Sequence, residues 1–83
     1  MKTSQVTATT TATLLVAADP HDQTVLLHTE SGSVYVGNAS VTSTTGFKLD
    51  NQDKVTFPLG AYEALYAITA SGTNTVYVYA EVN

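Results

Sequence analysis

Near the C-terminus, Val76, Val78, Ala80 and Val82 alternate with Tyr77, Tyr79 and Glu81, and this two-residue period marks a β-strand with two unlike faces. A second alternating run precedes it, and the turn-forming cluster Ser71-Gly72-Thr73-Asn74 joins the two, so Ala64 to Val82 reads as a hairpin. The valine face is core. The other face is unusually aromatic for one left in water, and apolar groups exposed together mark places where something binds.

Fifteen threonines and ten valines against one isoleucine and one methionine give a chain rich in β-branched residues, which suit pleated surfaces and lose rotamer freedom in helices. The composition is all-β. The net charge of −4 comes from seven acids against three lysines, with no arginine. Phosphate backbones are bound by clustered Lys and Arg, so nucleic acid is excluded as a partner.

At 83 residues the chain makes one domain. A chain this short buries only roughly 60–65% of its unfolded surface. Small domains compensate with disulfides, metals or association, and the absence of cysteine closes the first route. Association is the expected route. The apolar run Leu14 to Ala18 is too short for a signal peptide or a membrane span, so the chain is expected to be made in the cytoplasm, without a membrane partner.

Residues 1–10 read as an N-terminal arm or edge strand, with Thr7, Thr9, Thr11 and Thr13 on one parity and Val6, Ala8 and Ala12 on the other. Leu14 to Ala17 is expected inside, and Asp19-Pro20-His21-Asp22 is a turn. Thr24–Glu30 and Val34–Val36, joined by Ser31-Gly32-Ser33, read as a second hairpin. Val41-Thr42 is a short strand or bridge, Gly46–Leu49 another, and Val55-Thr56-Phe57 a third that Pro58 stops by lacking an N–H donor. A turn around Gly60–Glu63 leads into a strand at Leu65–Thr69. Seven or eight short strands with regular turn signals describe a small antiparallel β-sandwich or barrel-like sandwich over residues 11–83.

Few residues suggest chemistry. His21 and His28 lie near Asp19, Asp22 and Glu30, but without a metal-ligand spacing they read as surface residues, and no metal or cofactor is expected. Ser and Thr are too numerous to single out a nucleophile, and no glycine elbow, phosphate loop or telling acid pair accompanies them, so no catalytic centre is expected. Asn38-Ala39-Ser40 fits a glycosylation acceptor but lacks a secretory context. The alternating threonines at the N-terminus occur once, whereas an ice-binding solenoid repeats them.

The interface candidates are Tyr35, Tyr77 and Tyr79, placed opposite core valines, together with Thr3, Val6, Thr7, Thr9 and Thr11 of the arm. The tyrosines either pair across strands on one solvent-facing sheet or anchor a partner, since interfaces are enriched in Tyr. The arm is either a loose terminus or an extended segment that adds to a neighbouring subunit or shell.

The series Leu14–Pro20, Val34–Gly37, Gly46–Leu49 and Leu65–Val78, present as "LLVAADP", "VYVG", "GFKL" and "LYAITASGTNTVYV", resembles small β-sandwich virion proteins of tailed bacteriophages, the capsid-decorating and related accessory domains. The resemblance covers Thr11 to Val82. It departs at Asp22-Gln23 and His28-Thr29, where such sequences often carry an arginine and an asparagine. It implies a structural protein on the capsid exterior, bound to the major capsid protein and working as a homo-oligomer, with a trimer favoured. The rival implication is a tail or fibre module that binds a host-surface receptor or glycan.

Overall fold

The computed structural model describes every residue from Met1 to Asn83 and contains eight β-strands and no helix. In chain order they are β1 (Lys2–Ala8), β2 (Thr13–Val16), β3 (Gln23–Thr29), β4 (Val34–Gly37), β5 (Phe47–Leu49), β6 (Lys54–Leu59), β7 (Leu65–Ile68) and β8 (Asn74–Val82). Two four-stranded antiparallel sheets, ordered β1-β8-β3-β6 and β2-β7-β4-β5, face each other.

The pairing has a simple logic. Strand β1 pairs with β8, β2 with β7, β3 with β6 and β4 with β5, so each strand meets its counterpart from the other end of the chain. The molecule is one long two-stranded ribbon, tipped by the β4–β5 connection and rolled up. Further pairing of β3 with β8 and of β4 with β7 closes the roll. This is the jelly-roll form of the β-sandwich, which leaves few long edges open.

Both expected hairpins are corrected by this topology. Strands β7 and β8 lie in opposite sheets, as do β3 and β4. The turns between them are arches across the core. Gly32 and Gly72 take φ of +70° and +68° there, which L side chains rarely adopt. Gly32 also lies under Asn74, whose Oδ1 accepts from Ser31 N–H at 3.4 Å, so the two arches brace each other.

Alternation builds the core. Along β8, Asn74, Val76, Val78 and Ala80 are buried, while Thr75, Tyr77 and Tyr79 are half-buried on the outer face. Val25 and Leu27 of β3, Val34 and Val36 of β4, and Leu65 and Ala67 of β7 complete a cluster with Ala8, Leu15, Val16, Leu49 and Leu59. In β2 a register shift between Leu14 and Val16 turns the consecutive Leu15 and Val16 inward. Leu14, expected inside, is left 44% exposed.

Two further expectations change. Val41-Thr42 forms no strand; Val41 is buried within the β4–β5 connection, its N–H bonded to Asn38 O at 3.0 Å. Pro58 does not stop its strand, which runs on to Leu59. The reason lies in the ladder. Bonds between opposed residues, Glu30 N–H to Thr75 O at 3.0 Å and Thr29 N–H to Asp53 O at 3.1 Å, fix its sense. A residue's N–H and C=O point to one side of an antiparallel strand and alternate along it, so even-numbered residues of β3 face β8 and odd-numbered ones face β6. Pro58 opposes Thr24, and its main chain therefore points to the free side of edge strand β6, where no donor is needed.

The N-terminal residues are taken up as an edge strand, paired with β8 from Lys2 to Ala8. Thr9 and Thr11 lie beyond it in the β1–β2 connection, where Thr11 N–H donates to Thr9 Oγ1 at 3.2 Å and Thr69 N–H to Thr9 O at 2.9 Å.

Candidate binding surface on the first sheet

The register of the first sheet lines up its outer side chains in rows. Thr3, Tyr79, Leu26 and Thr56 form one row across β1, β8, β3 and β6. Gln5, Tyr77, His28 and Lys54 form the next. Directly opposed side chains on one face lie within reach of each other, so these rows are the contact units of the surface.

At their centre the His28 and Tyr77 rings stack, with centroids 5.7 Å apart and planes 16° from parallel. The Tyr77 hydroxyl donates to Glu30 Oε1 at 2.7 Å. This bond to a carboxylate is of the stronger, charge-assisted kind. It holds the phenol protonated and pushes its pKa above the ordinary 10.0, with partial desolvation and the Glu30 charge acting in the same direction. No protein group bonds the buried His28 Nδ1. Around these rings Thr3, Gln5, Leu26 and Tyr79 complete an open hollow of about 510 Å³. Leu26, at 38% exposure, supplies its apolar floor.

The expected interface residues are only partly brought together. Tyr77, Tyr79 and Thr3 share the hollow, and Thr7 lies on the same face opposite Thr75. Val6 points the other way and packs against the core. Thr9 and Thr11 are spent on local bonds. Tyr35 is corrected: it lies on β4, on the outer face of the second sheet, opposite Lys48 and Ile68. One solvent-facing sheet holding all three tyrosines is therefore ruled out. Tyr35 instead abuts the β4–β5 connection, where a Cβ on Gly46 would come within 2.7 Å of its own Cβ.

Three aromatic or apolar features on the outer surface escaped the sequence reading. Tyr66 and Leu14 oppose each other on the second sheet's outer face, so both faces carry tyrosine. Phe47, 64% exposed, sits with Phe57, Val55 and Val36 in an apolar cleft of about 320 Å³ where the sheets part beside β5 and β6. Its two-residue spacing from Leu49 was the available signal. Tyr62, 77% exposed, stands in the β6–β7 turn with φ of +64°.

The histidines are separated. His21 lies in the β2–β3 turn, where its N–H and ring Nδ1 meet Asp19 Oδ1 at 2.9 and 3.0 Å, as the Asx-Pro turn implied. The backbone N–H first and the ring second lower the Asp19 pKa below 3.8. No three His, Asp or Glu side chains converge on one point. No helix is long and apolar enough to cross a membrane.

No protein-family model matches the chain, and no curated protein or solved structure matches it either.

Proposed function

We propose that this chain is a structural virion protein that decorates and stabilises the capsid exterior of a tailed bacteriophage, acting through protein contacts and as a homo-oligomer. The observation that carries the reading is the hollow of Tyr77, Tyr79, His28 and Leu26, an aromatic patch lined by no Lys, Arg, Asp or Glu that continues onto edge strand β1. Interfaces favour Tyr and disfavour charge at their centres. The resemblance of the Leu14–Pro20, Val34–Gly37 and Leu65–Val78 motifs to virion accessory domains supplies the partner class, the major capsid protein. Jelly-roll sandwiches serve in viral coats and also in lectins, so the fold admits the reading without deciding it.

Such a protein works by mass action. Each copy that binds the assembled shell, and not its separate subunits, stabilises the assembled state. The chain carries out no reaction in this reading, and its outward position suits its acidic balance.

One feature favours a second reading, a tail or fibre module that holds a host-surface glycan. Gln5 lines the hollow with the Tyr77 and His28 rings, and Glu30 holds the Tyr77 hydroxyl at its rim, the pairing of stacking and hydrogen bonds that sugars need. Titration against empty capsids and against host cell-wall extract separates the two. Saturable binding to capsids at a fixed copy number per capsomer, lost in the Y77S/Y79S variant, is the expected result. Binding to cell wall alone would transfer the surface to the second reading.

A further inference from the structure

The edges of the two sheets are unequally protected. Strand β6 turns the main chains of Lys54, Thr56 and Pro58 outward, and Pro58 offers no N–H there while Lys54 brings charge. Strand β5 has three residues, and β2 has four with a bulge. Strand β1 has seven residues, with no proline and no bulge. By the same alternation, its Lys2, Ser4, Val6 and Ala8 bond β8, and the N–H and C=O groups of Thr3, Gln5 and Thr7 point away from the sheet. All three residues are exposed. An open, unbroken edge of this length, whose one charge, Lys2, sits at its end and on the side bonded to β8, is a template for another strand.

We propose that this edge pairs antiparallel with the same edge of a second copy, with Gln5 on the two-fold axis. The sequence argues for a second copy because it is self-complementary about that residue. Gln5 is the midpoint of Lys2–Ala8 and one of the outward-bonding residues, so centring on it engages the whole strand. Thr3 then faces Thr7 of the partner subunit, Gln5 faces Gln5 of the partner subunit, and Ser4 faces Val6 of the partner subunit. Opposed threonines make favourable cross-strand pairs. The one charged residue, Lys2, meets Ala8 of the partner subunit, so no like charges oppose each other.

The pairing makes one continuous sheet from two copies. It also places Gln5 of the partner subunit and Thr7 of the partner subunit against the wall of the Tyr77–Tyr79 hollow, so each copy helps to shape the other's surface. The inference rests on the reading of this chain as a protein that acts in copies, and it makes the assembly two-fold where the resemblance implied a trimer.

The test is sedimentation equilibrium on the full chain, with no capsid present. The wild type is expected to approach twice the 8.7 kDa of one chain as concentration rises. Gln5→Pro is expected to stay monomeric with an unchanged circular dichroism spectrum, because the Gln5 N–H bonds nothing within its own chain. The double variant T3K/T7K sets lysine against lysine and should weaken pairing about tenfold or more, since like charges directly opposite repel. T3K/T7E sets lysine against glutamate and should restore it. Should Gln5→Pro lose its fold, those two variants decide alone, because they change only exposed side chains. A wild type that remains monomeric at millimolar concentration, or equal pairing by T3K/T7K and T3K/T7E, overturns the proposal. A monomer that still saturates capsids would leave the decoration reading standing without it.

Discussion

The Tyr77 hydroxyl, on β8, donates to Oε1 of Glu30, the residue that follows β3, across 2.7 Å, joining residues 47 positions apart. Because ionised Tyr77 could not donate, the bond favours the protonated phenol and its pKa is raised. An acid whose folded-state pKa is raised contributes stability that is fully present below the unfolded value, here 10.0, and lost as pH rises through the folded one. In an alkaline titration Tyr77 should therefore ionise above 10.0, and Glu30→Ala, which removes both the acceptor and its charge, should lower its midpoint. The stability difference between wild type and Glu30→Ala should shrink above pH 10.0. A Tyr77 signal that titrates alike in both proteins counts against the bond.

Thr29 anchors the turn between β5 and β6. Its side chain is fully buried, and Oγ1 donates to Asp50 O at 2.6 Å while accepting from Asp53 N–H at 3.2 Å. Thr29→Val keeps the shape and removes both side-chain bonds, while Asp53 N–H still donates to Asp50 O at 3.1 Å, so the cost is that of the lost hydroxyl bonds, about 0.5–1.5 kcal/mol each. Urea denaturation should show that loss, with Thr29→Ser recovering most of it. A valine variant as stable as wild type would show that the turn holds itself.

The strands were legible because alternation is local. Val76, Val78 and Ala80 against Tyr77 and Tyr79 give β8 its two faces whatever it pairs with. Partners were not legible for the same reason. Ser71-Gly72-Thr73 looks the same whether the chain turns back beside itself or crosses to the other sheet, and only the ribbon pairing of β1 with β8 and β2 with β7 decides. Tyr35 followed the same course: its parity opposite Val34 and Val36 is correct, and its separation from Tyr77 is a matter of sheet membership. Pro58 was misread because a missing N–H matters only on a bonded side. The two-residue period of β3 puts Leu26 and His28 on one face, but the hollow they share with Tyr79 needed the register.

Tyr62 holds φ of +64° with 77% of its surface exposed, and its N–H donates to Asp19 O at 2.7 Å. A left-handed conformation costs an ordinary L-residue about 1–2 kcal/mol, while asparagine tolerates it through its short polar side chain. Little packing is lost with so exposed a ring. Tyr62→Asn should therefore stabilise the fold by about 0.5–1 kcal/mol, within that left-handed cost. Thermal unfolding measures it. A destabilised variant would mean that the tyrosine ring contributes packing that outweighs the strain.

Gly46 has the opposite constraint, with no unusual φ but no space. A Cβ there would lie 2.7 Å from Tyr35 Cβ, 2.8 Å from Val41 Cγ2 and 3.1 Å from Thr42 O. The Tyr35 neighbour is close to its own main chain on β4 and cannot swing away, and Val41 is buried. Gly46→Ala should cost about 1–3 kcal/mol as the loop is forced outward, the usual range for overpacking. The loop abuts Tyr35 on the outer face of the second sheet, away from Tyr77 and Tyr79, so the proposed capsid binding should survive at temperatures where the variant stays folded. Parallel denaturation and capsid titration of Gly46→Ala separate the two effects, and a variant that folds normally yet no longer binds would move the binding surface to the Tyr35 side.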